Sequence, residues 1–507
     1  MSAKIQKICV GLFSGGAALV WLRVCYMAAV SLNETKKIGL LALGLLVVFL
    51  LLTFLTEKLS GRLKNEKKFW RGASLTLLLL MAAGLLYCGL QLRVYPGWDF
   101  GSVYQGAVEI AEDGAFSESS NWYFTTYPNN VAVCMFLAVF FKIFGGLCSY
   151  ITLGVLLNVG LIVLGVAFLF LLAEQLYGGR MAWLALAACA CFLPFYMHSA
   201  IFYTDTFALP FVTGCFLSYQ LRKKDARFLL LTAAVLAVGY KVKGSLGVIL
   251  IALLIHIWLE KEKAAERMKK SLLLLIPFLA LVGALTVIPQ KMPFFDATDS
   301  YQNEFPVEHW LALGLTGVGG YDANVYWMTA SVEGKAEKQE TDRTYIKEKL
   351  EEYGSEGLRQ HLDSKIVFTW GDGVYFAPEK LKRDPLRESW LHSWFLYDGV
   401  DYAKTYRYCN AVQLLLLGGI LLSLLVNFFG KCETREIQAM QIAVFGLFLF
   451  LLIWETRSRY LVNFVPIFIL LGIDGIQEIR SLLPMKKSGQ MKIENRINKE
   501  NKNEYRM

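Results

Sequence analysis

Long apolar runs separated by short charged loops make up most of this chain. A helix needs roughly 20 apolar residues to cross the hydrocarbon layer of a membrane. Thirteen runs approach that length, at about residues 8–30, 37–56, 72–92, 130–147, 150–173, 181–199, 205–221, 228–240, 244–258, 271–289, 411–429, 438–454 and 460–477. Because a helix satisfies its own backbone hydrogen bonds in lipid, the pattern predicts an all-α polytopic membrane protein with about 12–13 transmembrane or half-membrane helices.

The bulk composition argues against a soluble protein. Of the 507 residues, 55% are hydrophobic and 18% are charged, whereas soluble domains carry about 25% charged residues. The net charge of +9 does not indicate nucleic-acid binding, because Lys and Arg fall in short loops between apolar runs. In a membrane protein such loops indicate orientation.

The basic loops predict which side of the membrane each segment faces. Segments rich in Lys and Arg lie at 58–71, 222–227, 260–270, 431–435 and from 480 onward. The positive-inside rule makes these segments cytoplasmic, so the other loops, chiefly 93–129 and 290–410, face outside. We therefore expect a multi-pass protein of the plasma membrane with cytoplasmic N- and C-termini.

The number of apolar runs conflicts with this orientation. Thirteen crossings from a cytoplasmic N-terminus would put the basic C-terminal tail outside. Either one run within 130–199 fails to span, as a re-entrant or half-length helix, or 228–258 is one long helix. The second solution buries Lys241 and Lys243 in hydrocarbon, which is costly, so we favour the first.

The loops divide the chain into five segments. These are 1–70, a transmembrane hairpin with a basic cytoplasmic loop; 71–289, the main membrane core; 290–410, an extracytoplasmic loop domain; 411–479, the C-terminal transmembrane helices; and 480–507, a basic cytoplasmic tail. The loop domain contains enough Trp, Tyr and Phe for a small mixed core. No Cys lies between 290 and 405, so disulfides do not hold this domain together.

Asp99 follows the apolar run 72–92 and opens a stretch that looks helical. Asp favours the N-cap position, so its carboxylate could simply cap this helix. It could also act as a base, because it stands at the membrane surface, where a substrate hydroxyl could reach it. Tyr127 and Asn129, at the entry of the next apolar run, are candidate substrate contacts beside it.

A second acid and two lysines follow further along the chain. Asp205 either caps the next helix or converges with Asp99. Two acids that converge could deprotonate an acceptor hydroxyl or hold a divalent cation such as Mg or Mn. Lys241 and Lys243 stand between two short apolar runs. There they either reach lipid head groups or offer positive charge to a phosphate leaving group.

Two arginines lie between the last two apolar runs, on the side predicted to be outside. Positive charge there opposes the orientation bias, so Arg457 and Arg459 need a separate reason to be present. Two guanidinium groups suit bidentate recognition of a phosphate, and Glu455 and Tyr460 would complete a substrate site. His309, in the loop domain, could line an acceptor site or belong to the core of that domain.

These elements, in this order, resemble the GT-C glycosyltransferases, and among them most closely the protein O-mannosyltransferase and aminoarabinose-transferase branch, glycosyltransferase family 39. The resemblance covers roughly residues 70–290 and 410–477. It implies a catalytic role for Asp99, with Asp205 as the second acid near it. It also implies that the turn around Lys243 faces the lipid phosphate and that Arg459 and Tyr460 form the Arg-Tyr element before the last core helix. The usual Tyr-Pro-Pro is Tyr-Pro-Asn here, a departure that weakens the assignment to a subfamily.

The resemblance implies an inverting glycosyltransferase at the outer face of the membrane. The donor would be a polyprenyl-phosphate-linked sugar, and the acceptor a surface glycan, a glycolipid or a protein. The sequence contains no P-loop or dinucleotide fingerprint, so soluble nucleotide cofactors are not expected. Two rival interpretations stay open. A transporter or flippase of a lipid-linked glycan would place charges along a translocation path, and a non-catalytic protein of cell-envelope assembly would need no active site.

Overall fold

The computed structural model describes residues 3–295, 297–430 and 435–482. The first fourteen helices are α1 (Ala3–Val30), α2 (Thr35–Ser60), α3 (Glu66–Gln91), α4 (Trp98–Glu112), α5 (Glu118–Thr126), α6 (Val131–Phe144), α7 (Tyr150–Tyr177), α8 (Gly179–Ala190), α9 (Leu193–His198), α10 (Thr204–Phe207), α11 (Leu209–Leu221), α12 (Phe228–Val242), α13 (Gly247–Leu259) and α14 (Ala264–Gln290). They are followed by α15 (Ala297–Asn303), α16 (Val307–Gly314), α17 (Ala323–Ala330), α18 (Lys335–Trp370), α19 (Ala377–Leu381), α20 (His392–Phe395), α21 (Tyr402–Phe429), α22 (Ile437–Ile453) and α23 (Val465–Leu482). Short 3-10 helices occupy Pro128–Asn130, Gly244–Leu246 and Ser458–Phe464.

The described ranges contain no β-strand, and the predicted all-α polytopic membrane fold is confirmed. Each predicted apolar run corresponds to a helix or to a pair of consecutive helices. Seven helices are long and apolar enough to cross a membrane, namely α1, α2, α3, α7, α14, α21 and the segment Ser458–Ile479. Four shorter apolar helices accompany them, at Gly179–Ala190, Phe228–Val242, Gly244–Leu259 and Ile437–Ile453. Part of one predicted basic loop, 431–434, and the predicted tail beyond 482 lie outside the described residues.

Helix α6 is bent sharply away from α5. The two helices meet at an angle of 103°, and Lys142 near the C-terminal end of α6 donates a hydrogen bond to the Ala111 carbonyl oxygen of α4 at 2.7 Å. In the first turn of α7, Thr152 accepts a hydrogen bond from Arg93 at 2.7 Å. A pair bent in this way is either a broken span or a re-entrant loop. Helix α6 is therefore our candidate for the predicted run within 130–199 that fails to span.

Ion pairs gather several of the basic loops at the opposite end of the bundle, which we call the basic end. Arg71 of α3 pairs with Glu174 of α7 at 2.7 Å. Arg222, which is almost fully buried, pairs with Glu436 at 2.8 Å and also with Glu260. These contacts join loops that are far apart in the sequence and share a basic character.

The region predicted as a small mixed loop domain is helical where the structure describes it. Helices α15 to α20 fill this region, and the β pairing found there is a single bridge between Val94 and Pro385. Its long helix α18 also packs on the membrane helices, because the Trp370 ring lies 5.1 Å from Trp21 of α1 and 6.1 Å from Phe448 of α22. Some aromatic residues of the loop region therefore pack against the membrane helices and do not belong to a separate core of that region.

The last membrane helix is the most enclosed of the seven candidate spans, with 78% of its apolar window buried. Gly419 of α21 faces Gly472 of α23, and a Cβ on Gly419 would lie only 2.8 Å from the Gly472 Cα. Small residues at such contacts let helix backbones approach closely in lipid. This close packing holds α23 in place, together with the segment directly before α23 that carries Arg459.

Candidate active site

Asp99 stands in the first turn of α4, and it is partly exposed. The Tyr123 hydroxyl of α5 donates to Asp99 Oδ1 at 3.2 Å, and the Asn130 side-chain amide donates to the Tyr123 hydroxyl oxygen at 2.7 Å. The N-cap position of α4 is occupied by Gly97, so Asp99 does not cap this helix. Among the described hydrogen bonds Asp99 Oδ2 has no partner, which leaves it able to accept a proton.

Asp205 is buried, only 3% exposed, and two cations hold it. The Lys243 ammonium pairs with Oδ1, and the Arg459 guanidinium pairs with Oδ2 at 2.6 Å. Burial alone would raise the pKa of the Asp205 carboxyl, but Arg459 and Lys243 hold the pKa well below its usual range. Asp205 is therefore a fixed anion that gathers two positive groups from separate helices.

Tyr460 joins this ion cluster to Glu455. The Tyr460 hydroxyl donates to Glu455 Oε1 at 3.1 Å and accepts from Arg459 at 3.4 Å. The Lys243 ammonium lies 4.6 Å from the centre of the Tyr460 ring, a favourable distance for a cation–π contact. Burial raises the pKa of the Glu455 carboxyl, an effect that Arg459 opposes and Asp99 reinforces.

Tyr203 lies between the two predicted acids. Its ring centre is 6.1 Å from that of Phe100, the residue after Asp99, and the Arg459 guanidinium is 5.8 Å from the Tyr203 ring. Burial raises the pKa of the Tyr203 hydroxyl well above its usual value, and Asp99 and Asp205 both add to the rise. The structure thus brings Asp99 and Asp205 near the same tyrosine from separate loops, and we call this cluster of charged and aromatic residues the pocket.

Strained backbone lies on the loop side of this pocket. Trp98, Tyr375 and Phe376 have φ angles of 56°, 54° and 59°, and they are three of the four non-glycine residues with positive φ in the described chain. The Trp98 and Phe376 rings stack with centres 6.3 Å apart, and Arg457 lies 4.3 Å from the Phe376 ring. Such conformations cost about 1–3 kcal/mol each and concentrate at functional sites.

Comparison with known proteins assigns the chain to a family. The profile of a family described as "Conserved hypothetical integral membrane protein" matches residues 21–478. The chain belongs to this family. None of the curated proteins gives a match.

Two solved structures show a distant similarity. One is an oligosaccharyltransferase of Archaeoglobus fulgidus tethered with an acceptor peptide, at 13% identity and a TM-score of 0.42, covering 83% of this chain and 50% of that chain. The other is the oligosaccharyltransferase AglB of the same organism with an inhibitory peptide and a dolichol-phosphate, at 11% identity and a TM-score of 0.41, covering 83% and 53%. The chain thus spans about half the length of these structures, and a likeness of this extent does not assign an activity.

Two of the predicted site residues, Lys241 and His309, lie apart from the pocket. Lys241 donates a hydrogen bond to Thr286 of α14 at 3.2 Å, which turns it away from Asp205. His309 is only 1% exposed and hydrogen-bonds with Thr329 at 2.7 Å, so it lies inside the loop region. Burial lowers the pKa of His309 to about 3, which keeps the ring neutral.

Tyr127 and Asn129 border the pocket without contacting the ion cluster. The Tyr127 ring packs on Tyr123, the tyrosine that donates to Asp99, with centres 5.1 Å apart, and on Phe305 of the loop region at 5.4 Å. The exposed Asn129 side chain donates to the Asn130 side chain at 3.2 Å. Both residues therefore stand behind the hydrogen bond that orients Asp99.

The pocket also contains residues that the sequence did not reveal. Lys380 of α19 is buried, and its ammonium lies 4.9 Å from the Trp98 ring. Burial lowers the pKa of Lys380 to about 7, with Arg459 adding to the decrease and Asp99 opposing it. No local pattern marks this lysine, because it stands in a charged stretch far from any apolar run.

Asp372 connects the loop region to the residues before the last helix. It accepts a hydrogen bond from Ser458 at 2.6 Å and from the Phe376 backbone N–H at 3.0 Å. It thereby fixes the strained turn and the segment between Arg457 and Arg459 to each other.

Within residues 3–295, 297–430 and 435–482, the side chains do not form a ready-made site for a divalent cation. The described residues contain no group of three or more His, Cys, Asp or Glu that could share a metal ion. Both oxygens of Asp205 are engaged by Lys243 and Arg459, and a metal would have to displace these cations. The chemistry below is therefore derived from the side chains of this chain alone.

Proposed function

We propose that this protein is an inverting glycosyltransferase that uses a polyprenyl-phosphate-linked sugar. The acceptor would be a hydroxyl of a surface glycan, a glycolipid or a protein at the outer face of the plasma membrane. The proposal rests on two features that lie side by side: a partly exposed carboxylate, and a buried ion cluster in which two cations surround one anion. Asp99 supplies the first, and Lys243 and Arg459 around Asp205 supply the second.

In the proposed reaction Asp99 is the general base. Its Oδ2 accepts the proton of the acceptor hydroxyl while the hydroxyl oxygen forms a bond to the anomeric carbon. The bond between that carbon and the phosphate oxygen breaks, and the lipid phosphate leaves with the electron pair. The hydrogen bonds from Asn130 to Tyr123 and from Tyr123 to Asp99 hold the carboxylate in one orientation.

Arg459 and Lys243 would stabilise the phosphate as its charge increases, with Arg457 beside them. Positive groups that are already in position lower the barrier without further rearrangement. Asp205 is better suited to orienting these two cations than to acting as a second base, because each of its oxygens already accepts from one of them. One anion between two cations leaves the cluster with a net positive charge.

The location of the charged groups favours an enzyme over a translocation path. Asp99, Asp205, Lys243 and Arg459 all stand at helix ends on one side of the bundle, and none lies midway along a long spanning helix. A flippase would need polar groups along the path of its cargo. The basic loops at the opposite end support an outward-facing pocket with both termini in the cytoplasm.

The test compares cells that lack this protein with cells complemented by wild type, Asp99→Asn or Asp113→Asn. Asp113 is the exposed acid that ends α4, so its variant is a matched control. Polyprenyl-phosphate sugars and surface glycans are measured by mass spectrometry. We expect one glycan modification to disappear, and its lipid donor to accumulate, in the null and Asp99→Asn cells, with normal levels in Asp113→Asn cells. Normal glycans in Asp99→Asn cells would refute the base assignment and leave a scaffold or a flippase.

A further inference from the structure

Lys380 is a buried cation whose charge lacks a carboxylate partner. The residue is 5% exposed, and it forms no ion pair or hydrogen bond among the described contacts. Its ammonium lies 4.9 Å from the Trp98 ring and 5.9 Å from the Tyr203 ring. Two aromatic faces compensate only part of the hydration that a buried ammonium loses. The Lys380 ammonium can therefore bind an anion.

The acids near Lys380 are already engaged. Glu379, its neighbour in the chain, pairs with the exposed Lys382 at 2.8 Å. Asp205 holds Lys243 and Arg459, as described above. Asp99 raises the pKa of Lys380 through space, but it forms no hydrogen bond with Lys380 among the described contacts, and its Oδ1 accepts from Tyr123.

A second cation continues the same surface toward solvent. The exposed Arg383 guanidinium lies 2.9 Å from the centre of the Trp98 ring, the same ring that Lys380 faces. Trp98 is itself 46% exposed and directly precedes Asp99. Positive charge thus lines a route from solvent, along Trp98, to the carboxylate.

We propose that Lys380 and Arg383, together with Trp98, form a subsite for an acidic group of the acceptor. A phosphate or carboxylate of the acceptor binds Lys380, and this contact brings a neighbouring hydroxyl to Asp99. The inference rests on the proposed function and adds to that function an anionic class of acceptor. The two cations come from the loop region beside Asp99, whereas Lys243 and Arg459, assigned to the donor phosphate, come from the ends of membrane helices.

Matched probes test this subsite in the full-length protein purified into lipid nanodiscs. Glycerol 3-phosphate is compared with glycerol, and galacturonate with galactose, by ligand-observed NMR. We expect wild type to bind each acid roughly tenfold more tightly than its neutral counterpart, since a hydrogen-bonded ion pair contributes about that much. Lys380→Met should abolish the preference. Lys382→Met removes an exposed lysine two residues away and should retain it.

The pH dependence separates an ionic contact from a merely structural role. With a pKa near 7 for Lys380, the preference of wild type for the acids should fall as the pH rises from about 6 to about 9. Lys380→Arg stays charged over that range, so its preference should be retained and independent of pH. Lys380→Arg also shows whether any loss in Lys380→Met reflects misfolding.

Two outcomes would overturn the inference. One is an equal affinity of wild type for acids and neutral counterparts, or a preference that survives in Lys380→Met. The other is a Lys380→Met variant that loses affinity for farnesyl phosphate, which would assign the subsite to the donor. Neither outcome affects the Asp99→Asn comparison in cells, so a failure of this inference is distinguishable from a failure of the proposed function.

Discussion

Asp205 shows how a buried charge can become a fixed part of a polar pocket. Moving an isolated carboxylate out of water costs several kcal/mol, and opposite charges must offset that cost. Lys243 and Arg459 do so from two different helices, so the three residues also tie those helices together. Two cations against one anion leave room for a further negative group.

Replacement of Asp205 by Asn should therefore destabilise the protein strongly. The variant leaves Lys243 and Arg459 buried without an anion, and breaking such a contact typically costs roughly 3–5 kcal/mol. The matched control is Asp225→Asn, because Asp225 pairs with Arg227 at the surface, where the Arg227 side chain is 86% exposed. We expect that control to lose less than about 1 kcal/mol. Unfolding in detergent measures both, and equal stability of Asp205→Asn and wild type would show that the cluster is not structural.

The sequence indicated most of the charged residues of the pocket, but it did not indicate which residues they contact. Asp99, Asp205, Lys243 and Arg459 were predictable because each stands at the end of an apolar run, where an ionisable residue is conspicuous. Their pairing was not, because the contacts join separate loops. Lys380 and Tyr123 could not be predicted, because nothing in their local sequence indicates that they are buried.

At the scale of elements, we expect α6 to be the run whose failure to span resolves the conflict between the apolar runs and the basic loops. The helix has 14 residues, which rise about 21 Å, less than the roughly 30 Å of a hydrocarbon core. The apolar run from 130 to 147 is longer than α6, because it also includes Asn130 and residues 145–147. Composition alone does not single out this run, because other apolar helices are as short; the sharp bend against α5 and the contact of Lys142 with α4 favour it.

A cysteine at Gly146 tests this topology in intact cells. Gly146 is exposed in the loop after α6, with no atom near a built Cβ, so Gly146→Cys should be tolerated. In a Cys148→Ala background, a membrane-impermeant thiol reagent should label it as strongly as Asp113→Cys in the predicted outer loop 93–129. Asp225→Cys in a basic loop should stay unlabelled until the cells are opened. Labelling of Gly146→Cys only in opened cells would mean that α6 spans the membrane.

At the scale of the whole molecule, the loop region and the membrane bundle behave as one structure. The aromatic residues of 290–410 suggested a domain with its own core, because the sequence does not show which partners a Trp will find. In the structure Trp370 packs on Trp21, and the strained turn that Asp372 fixes faces the beginning of the last helix. The pocket lies where these two parts meet, so its geometry depends on their docking.

Lys365 holds the two parts together at one point. The residue is 1% exposed and donates to the Gly314 carbonyl oxygen at 2.6 Å and to the Trp454 carbonyl oxygen at 2.9 Å. These carbonyls lie at the ends of α16 and α22, so one ammonium caps a loop helix and a membrane helix. His361 also contacts Gly314, whereas the Trp454 carbonyl depends on Lys365.

Lys365→Met should therefore weaken the docking that positions the segment from Glu455 to Arg459. The side chain keeps a similar length but leaves the part-buried Trp454 carbonyl without its donor, which costs about 1–3 kcal/mol at most. We expect a lower unfolding temperature in detergent and a weaker affinity for farnesyl phosphate, because Arg459 follows that carbonyl closely. The control is Lys347→Met on the same helix α18, where the side chain is 78% exposed and should contribute little. If both variants bind and unfold like wild type, the pocket does not depend on this contact between loop region and bundle.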